Sequence, residues 1–343
     1  MQAADHGLID IAVMGSYLES QIAGFRGLRA AKKFDGGQSN PTFLLSADSG
    51  QYVLRRQPPG KLLKSAHAVD REYRVIEALS STNVPVPRVH HLCEDRSVMG
   101  CLFYVMSYEE GRIFWDPALP DLNGDDRGAI YDDMNRVLAN LHSVDIAGAG
   151  LSDFGRPNDY FARQVARWSG QYAASATQTI DSMDQLIAWL PANQPADDGQ
   201  VSLTHGDYRL DNLVFHPREN RIIAVLDWEL STLGHPYADL AYQCMQLRLQ
   251  SHSKFRGLGG RDREALGIPS EREYVARYCD RRGLGDIPDW NYYLVFSFFR
   301  LAAILQGVLK RALDGNASGS TALEYGAMAP ALADMAVALL ENE

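Results

Sequence analysis

Two neighbouring stretches, LTHGDYRLDNLVF and RIIAVLDWE, concentrate side chains that can bind a metal ion and move a proton. Their apolar runs LVF and RIIAVL are separated by the polar turn HPREN, so we predict a hairpin that brings Asn212 close to Asp227. An amide oxygen and a carboxylate facing one point suit Mg²⁺, because sparse hard ligands leave room for phosphate oxygens and water. Asp207, one loop away, would be free to accept a proton from an incoming hydroxyl. Taken alone, the pattern HxDxxxxN also fits an accidental loop motif.

The elements that must position these residues begin with a strand-rich part. Over Arg29–Tyr108, short apolar runs such as FLLS and YVLR alternate with turn residues, and ADSGQ between those two runs predicts a hairpin. A helix over His67–Leu79, with Ser65 as its cap, should follow, because its apolar residues fall on one stripe. Two further strands are predicted in RVHHL and CLFYVMSY.

After Gly111 the pattern becomes helical. The stretch DDRGAIYDDMNRVLANLH places apolar residues at helical spacing. We therefore predict an α+β protein of two lobes, with a small antiparallel-sheet N-terminal lobe (residues 1–108) and a larger helical C-terminal lobe (residues 109–343). The remaining predicted helices are Tyr160–Tyr172, Met183–Leu190, Tyr237–Leu249, Glu271–Arg282, Tyr292–Leu313 and Thr321–Leu340.

Composition narrows the class of protein. The chain has 343 residues, is 46% hydrophobic and carries a formal net charge of −10, which argues against nucleic acid or an anionic membrane surface as its partner. Its four cysteines show neither disulfide nor zinc spacing, and no signal peptide is visible, so we expect reduced thiols in a cytoplasmic protein. Arg300 interrupts the apolar run YYLVFSFFRLAAILQGVL, which we interpret as a buried core helix.

The stretches GGQSN, YVLRRQPPG, HAVDREY, THGDYRLDN, LDWE and HPYADLA resemble the aminoglycoside phosphotransferase family, whose fold is protein-kinase-like. The resemblance covers nearly the whole chain and extends to the kinase-like domains that accompany, or are named after, acyl-CoA dehydrogenases. It implies an ATP- and Mg²⁺-dependent phosphotransferase that acts on a hydroxyl of a small molecule. Only LSTLGHPYADLA follows LDWE before the next helix, which leaves no room for a long activation segment that docks peptides.

The resemblance assigns roles in the catalytic loop. It implies that Asp207 is the catalytic base and that Asn212 and Asp227 are the magnesium ligands. Arg209 stands where many kinases keep a lysine, and it would offset charge on the transferring phosphoryl group. The residues implied to brace the loop without doing chemistry are His205 and Asp239.

The resemblance also assigns residues to the nucleotide. Arg55 occupies the place of the kinase lysine that touches the phosphates, with Glu72 as its partner, although a guanidinium is not equivalent to an ammonium there. Lys61 and Lys64 are alternative phosphate cations. The stretch GGQSN would cover the ATP phosphates, although a Gly-Gly pair equally fits an ordinary turn. The residues so assigned are Gly36, Gly37, Ser39 and Asn40 for the phosphates, with Met106, Ser107 and Tyr108 for adenine.

A second triplet, DFG at residues 153–155, matches the magnesium-binding letters of protein kinases. It lies before the catalytic loop instead of after it, so we interpret it as a decoy, and DWE at residues 227–229 takes the working position. The triplet should form a turn that leads into a helix beginning at Tyr160, with Asn158 or Asp159 as cap.

The acceptor and the occurrence of turnover stay open at this point. Likeness to the dehydrogenase-linked domains implies a hydroxyacyl compound or its CoA thioester, and a functional link to acyl-CoA metabolism. One alternative is a nucleotide-binding module without turnover, which the arginine at position 55 favours and the intact Asp207, Asn212 and Asp227 oppose. A third interpretation, that the chain is itself a flavin-dependent acyl-CoA dehydrogenase, is supported only by the names of relatives.

Overall fold

The computed structural model describes residues 9–34, 40–58, 67–251, 256–315 and 321–340. These residues form two compact units. The smaller unit draws on Met1–Arg112, Val214–Pro217 and Ile223–Ser231, and the larger on Ile113–Leu213, Arg218–Ile222 and Thr232–Glu343.

A five-stranded antiparallel sheet forms the centre of the smaller unit. In the predicted hairpin Ala47 lies opposite Gly50, and the φ of +136° at Gly50 is a value that glycine adopts without penalty. The hairpin prediction is confirmed. The strands are β1 (Leu28–Lys33), β2 (Thr42–Ala47), β3 (Gly50–Arg56), β4 (Val89–Cys93) and β5 (Phe103–Ser107), in the order β1-β2-β3-β5-β4.

One helix of the smaller unit was not predicted. Helix α1 (Ile11–Gln21) begins after Asp10, whose side chain accepts hydrogen bonds from two amides of the first turn. Its buried Met14 and Leu18 join Leu45 and Phe103 of the sheet in one apolar core. Burial of that apolar face holds the helix on the sheet.

Helix α2 (Val69–Leu79) begins later than its apolar pattern predicted. His67 has a φ of +60°, which is incompatible with a helical residue, so the helix starts at Val69. Ala68 at the N-cap makes no side-chain capping bond, and the predicted cap Ser65 lies outside the described residues. A short helix, α3 (Arg96–Met99), completes this unit's helices among the described residues.

Helices dominate the larger unit, as predicted. The last predicted helix is broken in two, because Pro330, in the first turn of the second segment, cannot donate the backbone hydrogen bond that would continue the first. The helices are α4 (Gly124–His142), α5 (Tyr160–Ser175), α6 (Asp181–Ala192), α7 (Tyr237–Arg248), α8 (Arg263–Leu266), α9 (Glu271–Arg282), α10 (Trp290–Leu313), α11 (Ala322–Gly326) and α12 (Ala329–Leu340).

Two small sheets carry the segments that flank the predicted chemistry. Strand β6 (Ser202–Thr204) pairs antiparallel with β9 (Thr232–Gly234) in the larger unit. Strands β7 (Leu213–Phe215) and β8 (Ile222–Val225) form the other sheet, which confirms the hairpin predicted for LVF and RIIAVL.

Two described segments, Trp290–Leu313 and Ala322–Leu340, are long and apolar enough to cross a membrane. In the first, 78% of the apolar window is buried inside the protein, against 28% in the second. Helix α10 is thus buried, as the interpretation of a core helix requires.

Candidate active site

The residues predicted to do chemistry are divided between the two units. Asp207, Arg209 and Asn212 lie in the larger unit, and Arg55 and Asp227 lie in the smaller one. The predicted nucleotide residues Gly36, Gly37 and Ser39 and the alternative cations Lys61 and Lys64 lie outside the described residues.

Asp239 holds the start of the HxDxxxxN loop (residues 205–212). It lies in the first turn of α7 and is 1% exposed. Its Oδ2 accepts from the backbone N–H of His205 at 2.6 Å, and its Oδ1 accepts from that of Gly206 at 2.8 Å. Burial alone would raise the pKa of Asp239, but the hydrogen bonds that the carboxylate accepts from His142 and from the backbone of His205 outweigh burial and lower the pKa. The carboxylate therefore stays ionised and fixes two successive amides.

Sequence reasoning did not anticipate the contacts of His142, which ends α4 and lies beside Asp239. It is 3% exposed, and burial lowers its pKa, so it is neutral. Its Nε2 lies 3.3 Å from Asp239 Oδ2 and its Nδ1 lies 2.7 Å from the hydroxyl of Tyr278. Because the Asp239 carboxylate can only accept, Nε2 carries the proton and Tyr278 donates to Nδ1. A signal was present, since His142 follows Leu138 by one helical turn on the apolar face of α4.

Asp207 is presented by this braced loop. Its backbone N–H donates to Nδ1 of His205 at 3.2 Å, and its side chain is 23% exposed. Asn212 donates through Nδ2 to the Asp207 carbonyl at 2.9 Å and to carboxylate Oδ2 at 3.0 Å. The amide nitrogen of Asn212 thus orients Asp207 and leaves the amide oxygen as the atom suited to a metal.

Arg209 lies beside the same carboxylate. Its Nη2 pairs with Asp211 at 2.5 Å, and its Nε is 3.6 Å from Asp207 Oδ2. The guanidinium is 29% exposed, so its positive charge is available next to the predicted base.

Arg55 in β3 pairs with Glu72 in α2, the partner that the resemblance implied. The two side chains are 11% and 1% exposed and approach to 2.6 Å, and Arg55 also lies 2.7 Å from Asp227 and 3.4 Å from Glu229. Burial alone would lower the pKa of Arg55, but these carboxylates raise it, so the guanidinium stays charged. Sequence reasoning missed the contribution of Glu229.

Glu72 is fixed by two further donors. Asn40 Nδ2 donates to it at 2.7 Å and the Tyr104 hydroxyl at 3.2 Å. Burial raises the pKa of Glu72, and Arg55 opposes that change. The other end of the Asn40 amide contacts His67 Nδ1 at 3.0 Å. Asn40, predicted as a phosphate donor, instead braces Glu72, because both ends of its buried amide are engaged.

Asp227 occupies a strained turn directly after β8. Its φ of +64° lies in the left-handed region, which costs a non-glycine residue free energy. The following Trp228 is 1% exposed and donates through Nε1 to the Val225 carbonyl at 3.0 Å. The buried indole anchors a turn that presents Asp227 with 35% of its side chain exposed.

The segment predicted to bind adenine ends β5. Met106 is buried. The backbone N–H of Ser107 donates to the Arg88 carbonyl at 2.8 Å, so that amide is already satisfied and is not free for a base edge. Of the three residues predicted to bind adenine, Tyr108 is the one that lies beyond the end of β5, where backbone groups leave the sheet.

The DFG triplet at residues 153–155 lies in the larger unit. Phe154 is fully buried, and a side chain at Gly155 would meet the backbone nitrogen of Leu233 at 2.7 Å. Helix α5 begins at Tyr160 as predicted, but Asp159 at its N-cap makes no capping bond. Burial of Phe154 and tight packing around Gly155 account for the residue types of this triplet.

An antiparallel sheet with a buried Arg–Glu pair, together with a helical unit that carries a braced HxDxxxxN loop, defines a protein-kinase-like fold. The model of the phosphotransferase enzyme family (APH) matches residues 30–274, and the chain belongs to this family. The resemblance stated from the sequence, and the fold that it implied, are confirmed.

Similar proteins support the assignment of the chain to this family. The chain is 47% identical over 332 residues to acyl-CoA dehydrogenase family member 10 of Mus musculus, covering 95% of this chain but only 31% of that relative. A crystal structure from Ralstonia eutropha, provisionally named an aminoglycoside phosphotransferase, is 46% identical, with a TM-score of 0.89 over 97% of this chain and 98% of the other. Spectinomycin phosphotransferase, solved with ADP and spectinomycin, is 13% identical with a TM-score of 0.65 over 96% and 98%, and shares the fold alone.

Proposed function

We propose that this protein transfers the γ-phosphoryl group of ATP, with Mg²⁺, to a hydroxyl of a small molecule. Membership of the phosphotransferase enzyme family supports phosphoryl transfer. The observation that carries the proposal is the loop in which buried Asp239 fixes two amides while the Asp207 carboxylate remains partly exposed. Such rigid presentation suits a base that must meet an incoming hydroxyl in one orientation.

In this proposal Asp207 orients the acceptor hydroxyl and takes up its proton as the oxygen attacks phosphorus. A positioned general base contributes about 10²–10⁴-fold to rate. Arg209, whose Nε lies 3.6 Å from Asp207 Oδ2, would offset negative charge on the transferring group. Asn212 keeps the carboxylate in place through its two donated bonds.

The side-chain chemistry of Asn212 and of Asp227 suits Mg²⁺. Asn212 and Asp227 would hold the ion, since both offer hard oxygen ligands. The Asn212 amide nitrogen is committed to Asp207, which leaves its oxygen for the metal, and the strained turn at Asp227 is a feature that proteins retain at functional sites. A bound Mg²⁺ would neutralise charge on the nucleotide phosphates.

ATP as the donor is supported by the nucleotide side. Arg55 remains cationic and is held by Glu72, which is the arrangement expected of a phosphate-binding residue. A structural neighbour with the same fold was solved with ADP. This pairing also weakens the alternative of a module without turnover, because the arginine keeps the glutamate partner that the lysine would have.

We propose a hydroxyacyl compound, or its CoA thioester, as the acceptor. The support is that a relative 47% identical to this chain bears the name of an acyl-CoA dehydrogenase family member and is about three times as long. A connection of this chain to acyl-CoA metabolism is part of the same proposal.

The test measures ADP release with Mg·ATP and three acceptor sets: hydroxyacyl-CoA thioesters, the corresponding free hydroxy acids and aminoglycosides. We expect acceptor-dependent turnover in one of the first two sets, and a loss of about 100-fold or more in Asp207→Asn with nucleotide binding retained. Glu219→Gln, on the exposed hairpin turn, is the matched control and should behave as wild type. Nucleotide binding without ADP release for any acceptor would instead favour the module without turnover.

A further inference from the structure

Helix α10 buries one cation in an otherwise apolar stretch. Arg300 is 6% exposed, whereas Lys310 and Arg311 lie in the last turn, where cations are common. Burying a guanidinium is costly unless it makes strong hydrogen bonds. The position of Arg300 therefore calls for a reason beyond packing.

The contacts of Arg300 aim it at the HxDxxxxN loop. Its Nη2 donates to the carbonyl oxygen of Gly206 at 2.6 Å. Its guanidinium carbon lies 5.2 Å from the ring centre of Tyr242 and 5.7 Å from that of Trp168. Two aromatic faces at these distances attract the cation and restrict its orientation.

The Gly206 carbonyl belongs to the peptide that joins Gly206 to Asp207. The N–H of the same peptide is that of Asp207, and it donates to His205 Nδ1 at 3.2 Å. Arg300 and His205 thus fix opposite ends of one peptide plane. Since this plane sets the direction of the Cα–Cβ bond of Asp207, its rotation would turn the carboxylate away.

Two observations link the burial of Arg300 to its contact with the loop. Gly206 has a φ of +83°, an orientation that other residues adopt only with strain, so the peptide needs external support. Within the described residues the buried Nε of Arg300 has no hydrogen-bond partner, which is not the arrangement that maximises stability.

We propose that Arg300 is a positioning residue for Asp207: it clamps the Gly206–Asp207 peptide from α10 and so sets the direction of the base. This role in turnover rests on the proposed phosphotransferase function. The sequence motif around Asp207 does not include Arg300, because Arg300 lies 94 residues from Gly206 in the sequence.

The experiment compares Arg300→Met and Arg300→Lys with the matched control Arg167→Met. Arg167 stacks on the same Trp168 ring at 5.0 Å but lies on the exposed side of α5. Amide hydrogen exchange of the segment 203–210 should be about tenfold or more faster in Arg300→Met, because a hydrogen bond from a charged donor is lost. It should be unchanged in Arg167→Met and intermediate in Arg300→Lys, whose ammonium can still donate.

Kinetics supply the second readout. Arg300→Met should lower kcat by about 10- to 100-fold with the KM for ATP within about twofold of wild type, because the base is misdirected while nucleotide contacts persist. Unchanged exchange, or faster exchange with unchanged kcat, overturns the proposal. If Arg300→Met does not fold, Arg300→Gln carries the same test, since its side chain is too short to reach Gly206. A wild-type protein without turnover sinks the proposed function, and the exchange data then decide separately whether Arg300 holds the loop.

Discussion

At the scale of single residues, His142 shows how a neutral side chain can support a charged one. It donates to Asp239 and accepts from Tyr278, so it orients the carboxylate that holds the loop without adding a charge of its own. Protonation of His142 would put a cation in a buried site and would force the Tyr278 hydroxyl to change from donor to acceptor at Nδ1. Folding therefore favours the neutral form.

That preference predicts a dependence of stability on pH. The pKa of His142 in the folded protein is lowered, so below the ordinary histidine value of about 6.5 the unfolded chain binds more protons than the folded one. The free energy of unfolding should then fall as pH decreases from 7.5 to 5.5, by at most about 1.4 kcal/mol per pH unit for this group. In His142→Gln, urea unfolding at the two pH values should show a smaller difference than in wild type.

Tyr278→Phe is the matched control, because it removes the hydrogen bond to Nδ1 but keeps the imidazole. Its difference between the two pH values should lie closer to wild type than to His142→Gln, because burial, the main cause of the lowered pKa of His142, remains. His235, whose pKa burial also lowers, remains in every variant and supplies part of the residual slope. An equal slope in His142→Gln and wild type would contradict the assignment.

Residue roles were predictable where the residues are close in sequence or follow a family pattern. Asp207 and Asn212 lie five residues apart and meet in the structure. The pairing of His142 with Asp239 was not predicted, because the two residues lie 97 positions apart, a distance that no local pattern spans. Asn40 was assigned to the nucleotide by residue type and Ser107 by its position at the end of a strand, yet their polar groups bond to neighbours that only the folded chain brings close.

At the scale of elements, apolar periodicity located nearly all the long helices and the sheet strands, since both rest on burial of one face. It failed at element ends, where backbone conformation decides. His67 with its positive φ delays α2, and Pro330 divides the final helix. Helix α1 was missed although Asp10 is an ordinary N-cap residue.

Two glycines test whether the DFG triplet is a packing element. A methyl group at Gly155 would contact Thr232 and the backbone nitrogen of Leu233 in β9, so Gly155→Ala should lower the free energy of unfolding by about 1–3 kcal/mol. In the middle of α5, Gly170 has open space around it, so Gly170→Ala should raise stability by about 0.5–1 kcal/mol. Chemical denaturation measures both changes.

Nucleotide affinity separates this interpretation from a metal-binding role. Both variants should bind Mg·ATP with the affinity of wild type. Weakened Mg·ATP binding in folded Gly155→Ala would contradict the packing role and would favour a role of the DFG triplet in nucleotide binding.

At the scale of the whole molecule, composition and the change of pattern after Gly111 predicted a strand-rich part and a helical part. The return of Val214–Pro217 and Ile223–Ser231 to the smaller unit was not foreseen. These segments are short, and their membership of the smaller unit depends on tertiary contacts. One such contact is the hydrogen bond from Val225 N–H to the Pro85 carbonyl at 2.9 Å. Asp227 thereby joins the unit that contains Arg55, which local sequence could not show.

The proposed metal and base roles predict different responses of the whole protein to ligand. A ligand that binds only the folded state stabilises it by about 2.7 kcal/mol at 100 times its Kd, so Mg·ATP should raise the thermal midpoint of wild type more than ATP in EDTA does. Asp207→Asn should keep this Mg²⁺-dependent increment, because a base is not needed to bind the nucleotide. Asp227→Asn should lose it, because a metal ligand is gone.

The control must allow for the ion pair that Asp227 makes with Arg55. Glu229→Gln removes another carboxylate from the same guanidinium and leaves Asp227 in place, so its increment should resemble that of wild type. Only the difference between the Mg²⁺ and EDTA midpoints is compared, since each variant shifts its own baseline. If Asp227→Asn retains the full increment, Asp227 is not the ligand, and the strained turn that presents it needs another explanation.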